Sequence, residues 1–310
     1  GGMLTVTEIN GISVNIDGGF YETLVFNDGK EETQNQIKEI LKDYSITYAG
    51  NNGKLLIAKN SQNRLPIERE KDLLKLKGVT NVICLDCVLP ISSQITPKVP
   101  FASAEEMLKY GEGKLKLWQL ALRYESARGN ISEDEVFSKM RELVEIMNNA
   151  IDSGLAGTEY EDRILGNQSQ YIATSKLVGG SLVRSIIRNI SAIMEHKSAM
   201  GVIVAAPTSG ACSGLPGTII SIAREEGLDN DEITKAMLAA GMIGVFIAEF
   251  STFSGEVGGC QAECGSGSGM AATGVVELMG GNAEQAVDAA AMALQNIVGM
   301  ACTPIAGRVE

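Results

Sequence analysis

Residues 255–272, GEVGGCQAECGSGSGMAA, place two thiols, Cys260 and Cys264, and two acids, Glu256 and Glu263, among glycines and other small residues. Glycine lets a backbone come close to whatever is bound beside it. No Lys or Arg occurs between Lys235 and Arg308, so neither acid has a sequence-local cation. A further thiol, Cys302, follows in ACTPIAGRVE at the end of the chain. Thiolates are ligands for metal centres. Small residues, acids without cations and separated thiols suit a buried inorganic centre better than an ordinary core.

Two more glycine-rich loops stand beside this stretch, SKLVGG at 175–180 and AAPTSGACSGLPG at 205–217. Loops inside an apolar domain need partners for their backbone groups, and a bound anion or cluster supplies them. The 205–217 loop offers the hydroxyls of Thr208 and Ser209 and backbone donors that include Gly210. Pro216 sits in the first turn of a predicted helix whose positive end favours a carboxylate. The reading is a small-anion site, and the alternative is tight turns between closely packed helices. Neither loop carries a GxGxxG after a strand or a GKS/T element.

Other chemistries are poorly served. A Ser-His-Asp triad would have to use His196, the only histidine, which lies beside Glu195 and Lys197 on a predicted helix and reads as solvated. A pyridoxal enzyme needs a Schiff-base lysine, and Lys176 has no other part of that setting around it. Cys84-Leu-Asp-Cys87 has redox or half-zinc spacing, but a zinc site wants a second ligand pair. A strand end bearing two thiols is the simpler reading.

The elements that must hold these groups change texture along the chain. Residues 1–92 read as a small α+β module. Strands are expected at 4–9, 12–16, 23–26, 45–48, 54–58 and 79–85, with helices at 32–43 and 68–76. Residues 93–100 form the linker, in a stretch that holds Pro90, Pro97 and Pro100. Residues 101–310 read as mostly all-helical, so the class is α+β overall. Ser103 with Glu106 and Ser132 with Glu135 form capping boxes, the second before an amphipathic helix ending near Gly154. Further helices are expected at 218–226, stopped by Gly227; at 232–249, capped by Asn230; and at 284–298, capped by Asn282 with Gln285. The central ones are apolar nearly all round and therefore buried.

Composition sets outer limits. At 310 residues two domains are expected, with 45% hydrophobic residues to fill their cores. A net charge of −12 repels nucleic acid and anionic membrane, so neither is a partner. The uncharged run 198–223 is interrupted by Pro207 and Pro216 and reads as a buried loop and helix rather than a membrane span. The polar amino terminus shows no signal peptide, and its leading Gly-Gly reads as a cloning remnant. Six cysteines in a chain this long read as cytoplasmic thiols or metal ligands, not a disulfide scaffold.

Five segments, taken in order, resemble the α subunit or α domain of the iron–sulfur-dependent L-serine dehydratases. They are FSKMRELVEIMNNAIDSGLAG (137–157), LVGG (177–180), MGVIVAAPTSGACSGLPG (200–217), GCQAECGSGSGMAA (259–272) and ACTPIAG (301–307). The resemblance covers 101–310 and implies a largely helical catalytic domain. It also implies a [4Fe–4S] cluster, held by three cysteines, that serves to convert L-serine to pyruvate and ammonia. Carried over, Cys260 in GCQxE and Cys302 in CxPxAG fall on ligand positions. The family's third ligand lies beyond Cys302 in a VPC segment, and Glu310 comes first: either the natural chain continues, or this member holds an incomplete set. Cys264 falls where the family more often has an apolar residue, which makes it a neighbour of the cluster; Cys212 is not a ligand position.

Three thiolates leave one iron open as a Lewis acid for the hydroxyl that leaves, while an unidentified base takes the α-proton. Thr208, Ser209 and Gly210 are expected to meet the substrate carboxylate. Lys176 and Arg184, which flank LVGG, are candidates to neutralise it. Single-chain relatives carry a β domain with an SSSHT-type motif ahead of the α domain. Residues 1–92 hold no histidine and are too short for it, so a separate β subunit is expected. A related hydroxy- or thiol-amino-acid lyase and a cluster-less binding or regulatory homologue are the other readings, and assembly with copies of itself is left open.

Overall fold

The computed structural model describes residues 5–9, 12–17, 21–50, 52–60, 63–85, 98–161, 163–164, 166–176 and 179–301. They fall into two compact units, Gly2–Pro97 and Lys98–Glu310.

In the first unit, β1 (Thr5–Ile9) and β2 (Ile12–Asp17) form an antiparallel pair. There follow β3 (Tyr21–Asn27), α1 (Glu31–Ile40), β4 (Ser45–Gly50), β5 (Leu55–Asn60), α2 (Ile67–Lys75) and β6 (Val79–Leu85). The last four strands make an antiparallel sheet in the order β4-β5-β3-β6. That order, with a helix after the first and third strands, is the βαββαβ path of ferredoxin-like folds. Period-2 alternation sends Val25, Leu56, Ala58 and Val82 to the face that packs on Ile37 of α1, Leu41 just after it and Leu73 of α2. Leu24, Leu55 and Ile57 fill a second cluster on the other face. Cys84 lies in β6, its sulfur 3.9 Å from the Thr23 hydroxyl, and burial pushes its thiol up. Cys87 lies outside the described residues.

The second unit is helical: α3 (Ala104–Gly111), α4 (Leu117–Gly129), α5 (Glu133–Ala156), α6 (Gln168–Thr174), α7 (Gly180–Ser198), α8 (Gly214–Glu225), α9 (Asn230–Phe250), α10 (Gly255–Gly258), α11 (Cys260–Leu278) and α12 (Ala283–Gln295). Helix α9 is buried along Ile233, Ala236–Ala240 and Met242–Gly244, and α11 packs against α8, α9 and α12. Helix α9 is also long and apolar enough to cross a membrane, but 61% of that stretch is already covered by protein.

Several caps are as expected. Ser103 and Ser132 accept from the N–H groups of Glu106 and Glu135, and Asn282 and Gln285 bond each other's backbone reciprocally at 2.9 Å. Others differ. Asp229, not Asn230, caps α9, accepting from Asp231 and Glu232, because it stands at the residue before the helix, from which a side-chain oxygen reaches both amides. Helix α5 runs past Gly154 to Ala156, because Gly154 is where α5 crosses α7, with the Ala192 carbonyl directly against it. Helix α8 starts one turn before the expected 218. The largest difference is the 255–272 stretch, expected as a loop. It is a single turn followed by the central helix α11. Each helical glycine costs roughly 1 kcal/mol against alanine, and packing offsets it: Gly269 admits Leu294 and the Ala290 carbonyl, and Gly274 admits Ile219.

Candidate active site

Helix α11 begins abruptly. Gly259, with φ at 73°, reverses the chain after α10, a conformation that an L side chain resists. Cys260 is therefore the first residue of the helix and is half-buried, beside an end whose open N–H groups favour negative charge. One turn on, Glu263 reaches back to the 205–217 loop. Its carboxylate lies between Gly210 and Gly255, where a Cβ on either glycine would collide with one of its two oxygens. The Thr208 hydroxyl donates to Glu263 Oε2 and accepts from the Ala211 N–H at 3.2 Å. Farther along the same side of α11, Gly267 lies against Pro207 and Ala211. Two glycine-rich segments that sequence reasoning singled out separately are thus joined at one carboxylate.

No Lys, Arg or His nitrogen lies within ion-pair distance of Glu263 among the described residues. Cys264 is exposed, yet desolvation of its thiol, reinforced by the adjacent Glu263 carboxylate, pushes it above the ordinary thiol range. Cys212 is a core thiol, 1% exposed, with its sulfur 4.0 Å from that of Met194; burial pushes it up as well.

The chain after α12 returns to the start of α11, where the Gly299 N–H donates to Gln261 Oε1 at 2.7 Å. Cys302 itself, with Leu177 and Val178 of LVGG, lies outside the described residues. Among the described residues no group of three His, Cys, Asp or Glu is placed to hold a metal. Of the two cysteines expected as cluster ligands, the described residues include one, Cys260.

The opposite side of α11 faces a cavity of about 450 Å³ between the ends of α9 and α12, lined by Ile247, Ser251, Thr252, Gln261, Ser266 and Leu294, among others. Helical spacing explains the division, since 261, 262, 265 and 266 share one side and 263 and 267 the other. Thr208, Ser209 and Gly210 do not line this cavity. Ser209 is exposed and Gly210 half-buried at the start of the buried turn leading into α8, whose first N–H groups receive no side-chain cap from Ser213. Lys176 is exposed and makes no hydrogen bond to that turn among the described residues. Arg184 spends its guanidinium on the Ser175 carbonyl at 2.8 Å.

His196 departs from the solvated position expected of it. It is half-buried with its ring over Gly201, and its neighbour Glu195 accepts from the Ser169 N–H at 2.9 Å and hydroxyl at 2.6 Å. That pair fastens α6 to α7 and forms no triad. Sequence reasoning missed the cavity and the Thr208–Glu263 contact. The one signal available for the contact was an acid with no cation near it in sequence.

The family model for the serine dehydratase alpha chain matches residues 112–310. The chain is similar to the probable L-serine dehydratase, alpha chain, of Bacillus subtilis (strain 168), 34% identical over 183 residues that cover 58% of this chain and 61% of that one. It is also similar to the L-serine dehydratase, alpha chain, of Peptoniphilus asaccharolyticus, 33% identical over 204 residues, covering 64% and 70%. With L-serine dehydratase 1 of Escherichia coli (strain K12) it shares 31% identity over 232 residues, covering 71% of this chain and 50% of the relative. The chain thus spans about three fifths of the Bacillus protein and half of the Escherichia coli one.

Proposed function

This chain belongs to the serine dehydratase alpha chain family, and on that premise we propose that it is the catalytic α subunit of an L-serine dehydratase, releasing pyruvate and ammonia from L-serine. The observation that carries the reading is the meeting of the 205–217 and 255–272 segments at Glu263, which builds one polar centre beside Cys260.

Cys260 and Cys302 are the residues that would hold a [4Fe–4S] cluster here. The donor type fits, as does the open space beside Gly259 ahead of Cys260, and the Gly299–Gln261 bond supports bringing the Cys302 segment toward it. When bound, the cluster supplies an open iron as a Lewis acid for the hydroxyl that departs.

The chain's own residues do the positioning. The Ser209 hydroxyl and the N–H groups around Gly210, ahead of the uncapped start of α8, form the donor set for the substrate carboxylate. Thr208 directs its proton onto Glu263, so it serves by fixing that side chain and not as a donor to substrate. Lys176, exposed before LVGG, is assigned the outer positive charge. Loss of the α-proton and of hydroxide leaves aminoacrylate. Its imine tautomer takes up water and yields pyruvate and ammonia.

A β subunit belongs to this reading, because the Bacillus and Peptoniphilus relatives are named alpha chains and the match covers half of the Escherichia coli protein. A cytoplasmic location goes with it. The test is anaerobic iron–sulfur reconstitution of the natural full-length chain with and without a β subunit, followed by iron and sulfide determination and a pyruvate assay on L-serine. Brown protein forming serine-dependent pyruvate is the expected result. Neither cluster nor pyruvate with the partner present overturns it.

A further inference from the structure

We infer that the Glu263 carboxylate binds the α-ammonium of the substrate and so selects amino acids over the corresponding hydroxy acids. The inference rests on the dehydratase reading and adds a recognition role to that site. Glu263 is half-buried, and none of the ion pairs among the described residues includes it. A desolvated carboxylate without a cation is costly, and an incoming ammonium offsets the cost through charge-assisted hydrogen bonds. Its orientation is fixed in advance: Thr208 holds Oε2, and the bare backbones of Gly210 and Gly255 leave room for both oxygens. The accepting capacity not used by Thr208 remains for a ligand.

Placement agrees with this role. Glu263 stands three residues after Cys260 on the same side of α11, where side chains three apart start about 5–6 Å from each other. The carboxylate donors proposed at Ser209 and Gly210 belong to the loop that Thr208 ties to Glu263. A molecule the size of serine can therefore place its ammonium on Glu263, its carboxylate on the loop and its hydroxyl toward the Cys260 side. Among the described residues no cation is paired with Glu263, and residues 236–307 contain no Lys or Arg.

The experiment uses the full-length chain assembled with its β subunit and reconstituted anaerobically. It compares wild type with Glu263→Gln, which keeps the shape and removes the charge. KM and kcat for L-serine are measured, and calorimetry follows the binding of D-serine and of D-glycerate, which carries a hydroxyl in place of the amino group. In E263Q the KM for L-serine and the Kd for D-serine should rise about 10-fold to 100-fold, the loss falling in KM more than in kcat, while the Kd for D-glycerate stays level or improves.

Equal weakening of both ligands would mark a structural role, and a kcat loss at unchanged KM would mark proton abstraction; either overturns the assignment. Should E263Q fail to assemble, Thr208→Val carries the test by releasing the carboxylate: selectivity between the two ligands must narrow, and unchanged selectivity overturns the inference. A wild-type complex that makes no pyruvate and binds neither ligand sinks the dehydratase reading itself. Pyruvate from wild type with undiminished discrimination in E263Q sinks only the role of Glu263.

Discussion

Gln261 Oε1 accepts the backbone N–H of Gly299 at 2.7 Å, fastening the segment that precedes Cys302 onto the second residue of α11. The bond is exposed, so its worth to global stability is at most about 1 kcal/mol, but its local effect is larger. Gln261→Leu should leave the melting temperature almost unchanged and lower amide-exchange protection at 296–301. Protection there equal to wild type would show that the segment is held by other contacts.

Gly154 and Gly241 should respond to alanine in opposite directions. A Cβ on Gly154 would meet the Ala192 carbonyl where α5 crosses α7, and backbone cannot swing aside as a side-chain tip does. Gly154→Ala is expected to cost more than about 2 kcal/mol or to prevent folding. Gly241 lies inside α9 with nothing near its missing Cβ, so Gly241→Ala should stabilise by up to about 1 kcal/mol. Denaturant melts of the two variants decide the matter, and a neutral Gly154→Ala would mean that the helices separate easily.

Gly154 also shows what was legible in the sequence. The strands of residues 1–92 could be read because alternation is local and their turns carry Asn-Gly and Asp-Gly signals. Helix starts at Ser103, Ser132 and Asn282 could be read because a cap is a contact over three residues. Gly154 read as a stop, and α11 as a loop, because glycine in a helix is unfavourable on its own; the helices that repay it, α7 for Gly154 and α8 and α12 for α11, come from distant segments. Thr208 and Glu263 each looked functional for separate reasons. Their contact crosses 55 residues and follows from packing that no local pattern encodes.

Glu277 offers a pH-dependent test. Burial in α11 raises its carboxyl above the ordinary range, with Lys116 and the Trp118 N–H pulling the other way. The folded state then holds this proton more tightly than the unfolded chain, so keeping the group ionised at neutral pH costs stability, and the cost disappears as pH falls below the unfolded value near 4.3. Glu277→Gln should melt higher than wild type at pH 7, with the difference shrinking toward zero near pH 4. A difference independent of pH, or one that grows with acid, would place the ionised form in favourable surroundings instead.

The two thiols at the start of α11 should behave differently. Cys260 opens the helix on the expected ligand position, whereas Cys264 is held above the ordinary thiol range by desolvation and by the carboxylate beside it. A metal ligand must give up its proton, and the negative neighbour opposes that at Cys264. Cys260→Ala in the full-length chain should therefore abolish iron and sulfide incorporation during anaerobic reconstitution, and Cys264→Ala should leave both near the wild-type amount. Iodoacetamide labelling followed by mass spectrometry adds a check that needs no cluster. Cys264 should label slowly at neutral pH and reach half its maximal rate above the ordinary thiol value of about 8.5. Equal loss of iron from both variants, or rapid labelling of Cys264 at pH 7, would make Cys264 a ligand and move the cluster one turn along the helix.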